Sequence, residues 1–172
     1  YYALQGFFAF EKLARGTRWS LLDGPWYQAM LKFPLALLLP DGTFPRLNDC
    51  LAGQEKLHHR DLYEFAWFIW RDPQYAAVLQ FTETAPDERE TLLWRERSLP
   101  LIPQQSLFAP GAGLTLWRRP QQALLIKHSP WGGEHDHYDR LGLMLWHRDG
   151  WLLTDMGTTG YGAKMHYDYY KN

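Results

Sequence analysis

The chain has 172 residues, of which 46 % are hydrophobic and 16 % aromatic, so it can build a packed core and is not a disordered segment. Its formal net charge is −1 and no basic stripe follows the sequence, which excludes the electrostatic footprint of a nucleic-acid-binding protein. The single cysteine, Cys50, excludes an internal disulfide and is compatible with the cytoplasm or the periplasm. The longest apolar run, residues 34–40, is too short to span a membrane.

The first half of the chain predicts short helices joined by compact loops. Apolar residues recur near helical spacing over residues 4–14, and Gly16 ends this first helix. A second helix begins at Pro25, Asp61 is the predicted N-cap of a third, and Pro73 opens a fourth. The spacing predicts that the first two helices bury Leu4, Phe7, Phe8, Leu13, Ala14, Tyr27, Met30, Leu31 and Leu35. Such short helices indicate an all-α layered or toroidal arrangement.

An ordered loop separates the second and third predicted helices. Residues 39–50 read LPDGTFPRLNDC, in which Pro-Asp-Gly and Phe-Pro break the helix. Arg46, Asn48 and Asp49 lie in this loop, and two interpretations are open. The loop could face a substrate, with Arg46 and Asn48 as the binding residues, or its side chains could hydrogen-bond the turn backbone as scaffold.

The pattern changes after residue 105. Short runs rich in Leu and Trp, separated by glycine turns, predict antiparallel strands, and Asp149-Gly150 between two apolar runs predicts a hairpin. We therefore place a boundary within residues 99–105, with a helical domain over residues 1–100 and a sheet domain over residues 101–172. The fold class that follows is α+β, with two partial domains.

The densest group of reactive side chains lies in GGEHDHYDRLG, residues 132–142. His135 and His137 are two residues apart, so on a strand both imidazoles point to the same face. Asp155 follows the next predicted strand, and the predicted hairpin would bring it back beside His137. Two imidazoles and a carboxylate are zinc-ligand types, but a structural site needs four ligands, so this set is incomplete. Solvated or hydrogen-bonded loop histidines are the alternative.

The chain resembles the heparinase II/III-like polysaccharide lyases, and among them the oligoalginate-lyase-like branch. The motifs that carry the resemblance are HDHYD at residues 135–139, DMGT at residues 155–158 and YGAKMHYDYYKN at residues 161–172. The upstream stretches YYALQGFFAF and LPDGTFPRLND are similar to the last part of the family's helical toroid. The resemblance covers nearly the whole chain, and its motifs are specific in combination.

The resemblance implies an α+β fold made of two partial domains. Residues 1–100 would be the end of an (α/α) toroid and residues 101–172 the start of an antiparallel β-sandwich, with the active site in the cleft between them. We therefore expect the chain to be an internal fragment of a longer lyase and inactive alone. The resemblance implies an acidic polysaccharide as partner and a periplasmic or cell-envelope location, with the cytoplasm left open.

The implied reaction is β-elimination on a uronic-acid-containing polysaccharide, such as alginate or a glycosaminoglycan. His135 matches the family's catalytic histidine, acting as base or as a partner of the substrate carboxylate. The family's catalytic tyrosine opens the helix that begins this chain, usually as Tyr-His; here Tyr1 and Tyr2 both match, with no histidine after them, and a residue before them could be the true match. Tyr167 and Tyr170 are candidates for substrate binding, with packing under the sheet as the alternative.

The resemblance also implies a structural zinc ion. His137 and Asp155 match two ligands of a zinc ion found in several family members, and a further histidine ligand is expected beyond Asn172. Two other function classes stay open. One is a non-catalytic carbohydrate-binding or envelope-assembly protein of the same fold, and the other is a zinc hydrolase that uses His135, His137 and Asp155 with Glu134 as base.

Overall fold

The structure is a computed structural model that describes residues 2–82, 105–130, 136–137, 141–158 and 160. Its contacts divide the chain into two compact units. The first unit comprises Tyr1–Ala36 and His58–Ile102, and the second comprises Leu37–Leu57 and Pro103–Asn172. The second unit thus differs from the predicted sheet domain in that it also contains the loop between the second and third helices.

Among the described residues, four α-helices occupy the first half of the chain. They are α1 (Tyr2–Ala14), α2 (Pro25–Leu37), α3 (Arg60–Trp70) and α4 (Pro73–Val78). The predicted starts at Pro25 and Pro73 are confirmed, and the carboxylate of Asp72 caps α4 by accepting from the backbone N–H of Gln74 at 3.1 Å. None of the described helices is long and apolar enough to cross a membrane.

The N-cap prediction for Asp61 is wrong. The cap position of α3 is His59, whose side chain makes no capping hydrogen bond, and Asp61 lies inside the first turn. A carboxylate in the first turn still interacts favourably with the positive end of the helix dipole. Asp61 therefore does mark the start of α3, but two residues after the cap position.

The buried stripe of the first two helices follows the prediction with one error. Leu4, Phe8, Ala14, Tyr27, Leu31 and Leu35 are buried, and Phe7 and Met30 are half-buried. Leu13 is 87 % exposed, because it lies about 180° around α1 from the buried Leu4, whereas Glu11 is buried. The Glu11 carboxylate accepts hydrogen bonds from the Ser20 hydroxyl at 3.0 Å and from the Leu21 backbone N–H at 2.6 Å. These hydrogen bonds compensate the burial of the Glu11 carboxylate.

Within the described residues, the second half of the chain forms one antiparallel sheet in the order β1-β2-β3-β4-β5. The strands are β1 (Leu107–Ala109), β2 (Leu114–Arg119), β3 (Gln122–Lys127), β4 (Gly142–His147) and β5 (Gly150–Leu153). The predicted hairpin is confirmed, since His147 pairs with Gly150 across the turn. Helices followed by an antiparallel sheet confirm the α+β class, while the assignment of the two parts to the end of an (α/α) toroid and the start of a β-sandwich stays a prediction.

One face of the sheet packs against the segment that precedes α3. The shared apolar core consists of Leu37, Leu39, Leu114, Leu116, Ala123, Leu125, Met144 and Trp146. Two polar contacts fix the same segment to the strands: the Arg118 guanidinium donates to the Leu38 carbonyl at 3.0 Å, and the Trp146 indole donates to the Asp41 carboxylate at 3.1 Å. Burial lowers the pKa of Arg118 to about 10. The segment that precedes α3 therefore packs on the sheet as part of the second unit.

Candidate functional site

Buried polar side chains converge in the second unit, around the end of β3, the loop over residues 46–50 and the DMGT motif. This polar cluster consists of Asn48, Asp49, Lys127, Asp136, His137 and Asp155. The side chains of its five ionisable members are only 5–11 % exposed. Burying ionisable groups is unfavourable unless each finds a partner, so their arrangement must supply compensating contacts.

Two short hydrogen bonds offset the unfavourable burial of the Lys127 ammonium. It is the last residue of β3, and the alternation of the strand points it to the same face as Ala123 and Leu125, which are buried in the core. Its ammonium donates to the side-chain oxygen of Asn48 and to the carboxylate of Asp136, each at 2.6 Å. Lys127 thus joins β3 to both loops of the cluster.

His137 lies between two carboxylates. Its Nδ1 atom is 3.3 Å from an Asp155 oxygen, and its Nε2 atom is 3.6 Å from an Asp49 oxygen. The β4–β5 hairpin therefore returns Asp155 to the side of His137, as the sequence predicted. Each ring nitrogen of His137 therefore faces a carboxylate.

The two carboxylate oxygens of Asp155 have different partners. One faces His137, and the other accepts the Gly157 backbone N–H at 2.7 Å, which closes a tight turn. Gly157 has φ +63°, and a Cβ atom there would lie 2.0 Å from the Cys50 carbonyl oxygen. The Thr158 N–H donates to that same carbonyl at 3.1 Å. The hydrogen bond and the close approach at Cys50 hold the DMGT motif against the loop that carries Asp49.

Arg46 and Asn48, the predicted substrate-binding residues, make intramolecular contacts. The Arg46 guanidinium donates to the Glu55 carboxylate at 2.8 Å, and Asn48 accepts from Lys127 with its backbone in the left-handed region at φ 53°. These contacts are those expected of loop scaffold. The substrate-binding roles stay predictions.

Glu55 should contribute an acid-sensitive part of the stability. Burial acts to raise its pKa, but the hydrogen bond and charge of Arg46 and backbone N–H groups outweigh it and lower the pKa from the ordinary 4.5. A carboxyl with a depressed folded-state pKa stabilises the fold above its unfolded pKa, and this contribution is lost as the pH falls through the folded value. Glu55→Gln should therefore reduce the free energy of unfolding by roughly 1–3 kcal/mol at pH 7, with a deficit that shrinks below pH 4.5.

Urea unfolding of both proteins between pH 7 and pH 3 measures this deficit. A deficit that stays constant over the whole range would show that the Arg46–Glu55 pair does not depend on the Glu55 charge.

Most of the predicted catalytic and substrate-binding residues are not among the residues that the structure describes. His135, Tyr1, Tyr167 and Tyr170 are outside the described residues, and Tyr2 opens α1 with only its backbone described. Their catalytic and substrate-binding roles stay predictions.

Residues 102–172 match a family model described as "Heparinase II/III-like, C-terminal". This part of the chain is therefore similar to the C-terminal domain of heparinase II/III-like proteins. The family is one of polysaccharide lyases, and the matched residues include all five strands together with His137 and Asp155. No curated protein matches the chain. The oligoalginate-lyase-like branch stays a prediction.

A zinc ion, implied by the resemblance to the heparinase II/III-like lyases, fits the cluster in part. Zinc bonds of 2.0–2.2 Å in a tetrahedral site place neighbouring ligand atoms about 3.3–3.5 Å apart. The 3.3 Å between His137 and Asp155 agrees with that spacing. Asp49 faces the opposite ring nitrogen and cannot share the same ion with them. Over the described residues, no group of three or more His, Cys, Asp or Glu side chains could hold a metal, so a zinc ion at His137 and Asp155 would need ligands from other residues.

Sequence reasoning missed two members of the cluster, Lys127 and Asp136. A signal for Lys127 was present: the strand QALLIK places a lysine on the same face as Ala123 and Leu125, and a charge on an apolar face requires a buried partner. Asp136 has no comparable signal, since in the sequence it is only the spacer between two histidines. Its pairing with Lys127 depends on the path of the β3–β4 connection, which no local pattern specifies.

Proposed function

We propose that this heparinase II/III-like protein takes part in the cleavage of a uronic-acid-containing polysaccharide by β-elimination. The observation that carries the proposal is the polar cluster, in which buried contacts hold His137 beside Asp155 within the family segment. Polysaccharides of this kind lie outside the cytoplasm, so we place the protein in the periplasm or cell envelope. Alginate and glycosaminoglycans are the proposed substrate class.

The proposed reaction balances without an added reactant. A base removes the proton on carbon 5 of the uronate, the electron pair forms a double bond between carbons 4 and 5, and the bond from carbon 4 to the glycosidic oxygen breaks. That oxygen leaves with a proton. The carbon 5 proton is weakly acidic until the neighbouring carboxylate is neutralised, and each preorganised donor aimed at the developing charge is worth about 3–4 kcal/mol.

The proposed roles follow the residues of this chain. His135 acts as the base or as the partner of the substrate carboxylate, and Tyr1 or Tyr2 supplies the catalytic tyrosine. Because the net charge is −1, local cations must hold an acidic substrate rather than a global field. Arg46 and Asn48 are the proposed binding residues in the described part of the chain, and Tyr167 and Tyr170 are the others.

We also propose that His137 and Asp155 hold a structural zinc ion together with ligands outside the described residues. Such an ion would supply folding energy and fix the histidine-bearing loop, and it would not take part in the proton transfers. The agreement of the ligand spacing with the 3.3 Å contact supports the proposal.

Zinc analysis of the full-length protein should give about one zinc ion per chain. Removing the ion with a chelator should lower Tm, and His137→Ala or Asp155→Ala should abolish both the zinc content and the effect of the chelator. His147→Ala is the matched control, since this histidine of the same unit pairs with Asp149 at the hairpin, away from the motif. A wild-type protein without zinc, with a Tm that does not respond to chelator, would refute the metal proposal.

The function is tested by incubating the full-length protein with alginate, heparan sulfate, chondroitin sulfate and a neutral glucan. We expect ultraviolet absorbance from the unsaturated uronate product with at least one acidic polymer and none with the glucan. Tight binding of an acidic polymer without product would instead favour the non-catalytic carbohydrate-binding protein. Neither binding nor product across the acidic polymers would contradict the proposed substrate class.

A further inference from the structure

Lys127 occupies an unusual position for a lysine. Its side chain is 5 % exposed on the core face of a strand, and neither the proposed elimination nor the proposed zinc site uses it. An ammonium in that environment is stabilised only by close, well-oriented acceptors. Two such acceptors are present, at 2.6 Å each, and both belong to segments that also contact His137.

The first acceptor, the Asp136 carboxylate, also binds the backbone of His137. The Asp136 oxygen that binds Lys127 also accepts the backbone N–H of His137 at 3.0 Å. One oxygen atom therefore links the ammonium to the peptide group from which the imidazole projects. Removing the ammonium takes away one of the contacts that hold this oxygen beside the His137 peptide group.

The second acceptor belongs to the loop on the other side of the imidazole. Asn48 accepts from Lys127, and the next residue, Asp49, faces the Nε2 atom of His137 at 3.6 Å. The ammonium therefore lies between the peptide that carries the imidazole and the loop that contacts it. Its loss would remove one contact from each at once.

We infer that Lys127 is a positioning residue that aims the His137 imidazole at Asp155. It acts through the Asp136 carboxylate and the Asn48 carboxamide and makes no contact with substrate. The part of this inference that concerns metal affinity rests on the proposed zinc site, while the part that concerns the local backbone does not.

The decisive variant replaces the ion pair with apolar residues of similar size, Lys127→Met with Asp136→Leu. Exchanging both partners of a buried pair for well-packed apolar groups commonly preserves stability, whereas removing one partner leaves an unpaired buried charge. The double variant should therefore fold with near wild-type stability, and Lys127→Met alone should be markedly less stable. Any remaining defect of the double variant then reports positioning by the Lys127–Asp136 pair, whose shared oxygen also accepts the His137 N–H, rather than folding.

Two readouts are compared in the full-length protein. Zinc affinity of the double variant should fall about 10- to 100-fold, as is typical when groups that orient a metal ligand are removed. Amide hydrogen exchange in a peptide containing Asp136 and His137 should rise about 10- to 100-fold, because a hydrogen bond to a carboxylate is lost, while β2 and β3 stay protected. Lys32→Met, which removes a more exposed lysine paired with Asp72, should change neither readout.

A milder variant keeps the test decisive if the double variant does not fold. Asn48→Gly suits the left-handed backbone at φ 53° and removes only the loop-side acceptor. It should raise amide exchange at the same peptide by a smaller factor. Wild-type exchange and zinc affinity in a folded double variant, or wild-type exchange in Asn48→Gly when the double variant is unfolded, would overturn the inference. A zinc-free wild-type protein with raised exchange in the variants would reject the zinc proposal and retain the positioning role.

Discussion

Replacing His135 with alanine should lower kcat/KM of the full-length protein on its uronan by about 10²–10⁴-fold, the usual contribution of a positioned acid–base group. The expected loss follows from the resemblance of HDHYD to the family motif, in which this histidine acts at the uronate. The rate of formation of unsaturated product measures it. Zinc content should stay unchanged, because the proposed metal ligand is His137 and not His135.

The control for this experiment is His147→Ala, which removes a histidine from the same unit and should keep wild-type kcat/KM. Equal rates for His135→Ala and wild type would remove the catalytic role. A rise in KM with unchanged kcat would show that His135 contributes binding that is equal in the ground state and the transition state, which would contradict its action as the base.

Gly157→Ala should reduce the free energy of unfolding by about 2–5 kcal/mol, the sum of a left-handed backbone strain and an overpacking penalty. Gly157 has φ +63°, and the added Cβ would meet the Cys50 carbonyl oxygen at 2.0 Å. That carbonyl cannot move freely, because it accepts the Thr158 N–H. The substitution should therefore push the DMGT turn away from the loop and displace Asp155 from His137.

Urea unfolding measures this loss, and Gly53→Ala provides the control. Gly53 also has a positive φ, +86°, but a Cβ atom added there would meet nothing within 4 Å, so only backbone strain of about 1–2 kcal/mol is expected. Equal losses at the two glycines would show that the close approach to Cys50 contributes nothing.

Local sequence signals specified much of the second unit. The Asp149-Gly150 pair predicted the hairpin, and strand alternation together with that turn predicted that Asp155 lies beside His137. These features depend on neighbours along the chain or on one turn, and such relations can be inferred from spacing. The helix starts at Pro25 and Pro73 were predictable for the same reason.

Features that depend on long-range packing escaped prediction. The loop over residues 39–50 looked like part of the helical half, yet Leu39 lies in the core of the sheet unit. Asn48 and Lys127 are 79 residues apart, and nothing in either local pattern indicates their contact. The burial of Glu11 was missed because apolar spacing cannot reveal that its carboxylate has the Ser20 hydroxyl as a donor.

The mass balance of the cleaved polysaccharide tests the central claim most directly. Elimination breaks the chain without adding water, so the masses of the two fragments sum to that of the substrate, and one fragment carries the double bond between carbons 4 and 5. Hydrolysis adds one water. Mass spectrometry of a defined uronate oligosaccharide after digestion by the full-length protein should show the unsaturated fragment and no water gain. Saturated fragments that together exceed the substrate by one water would contradict β-elimination and favour the zinc hydrolase.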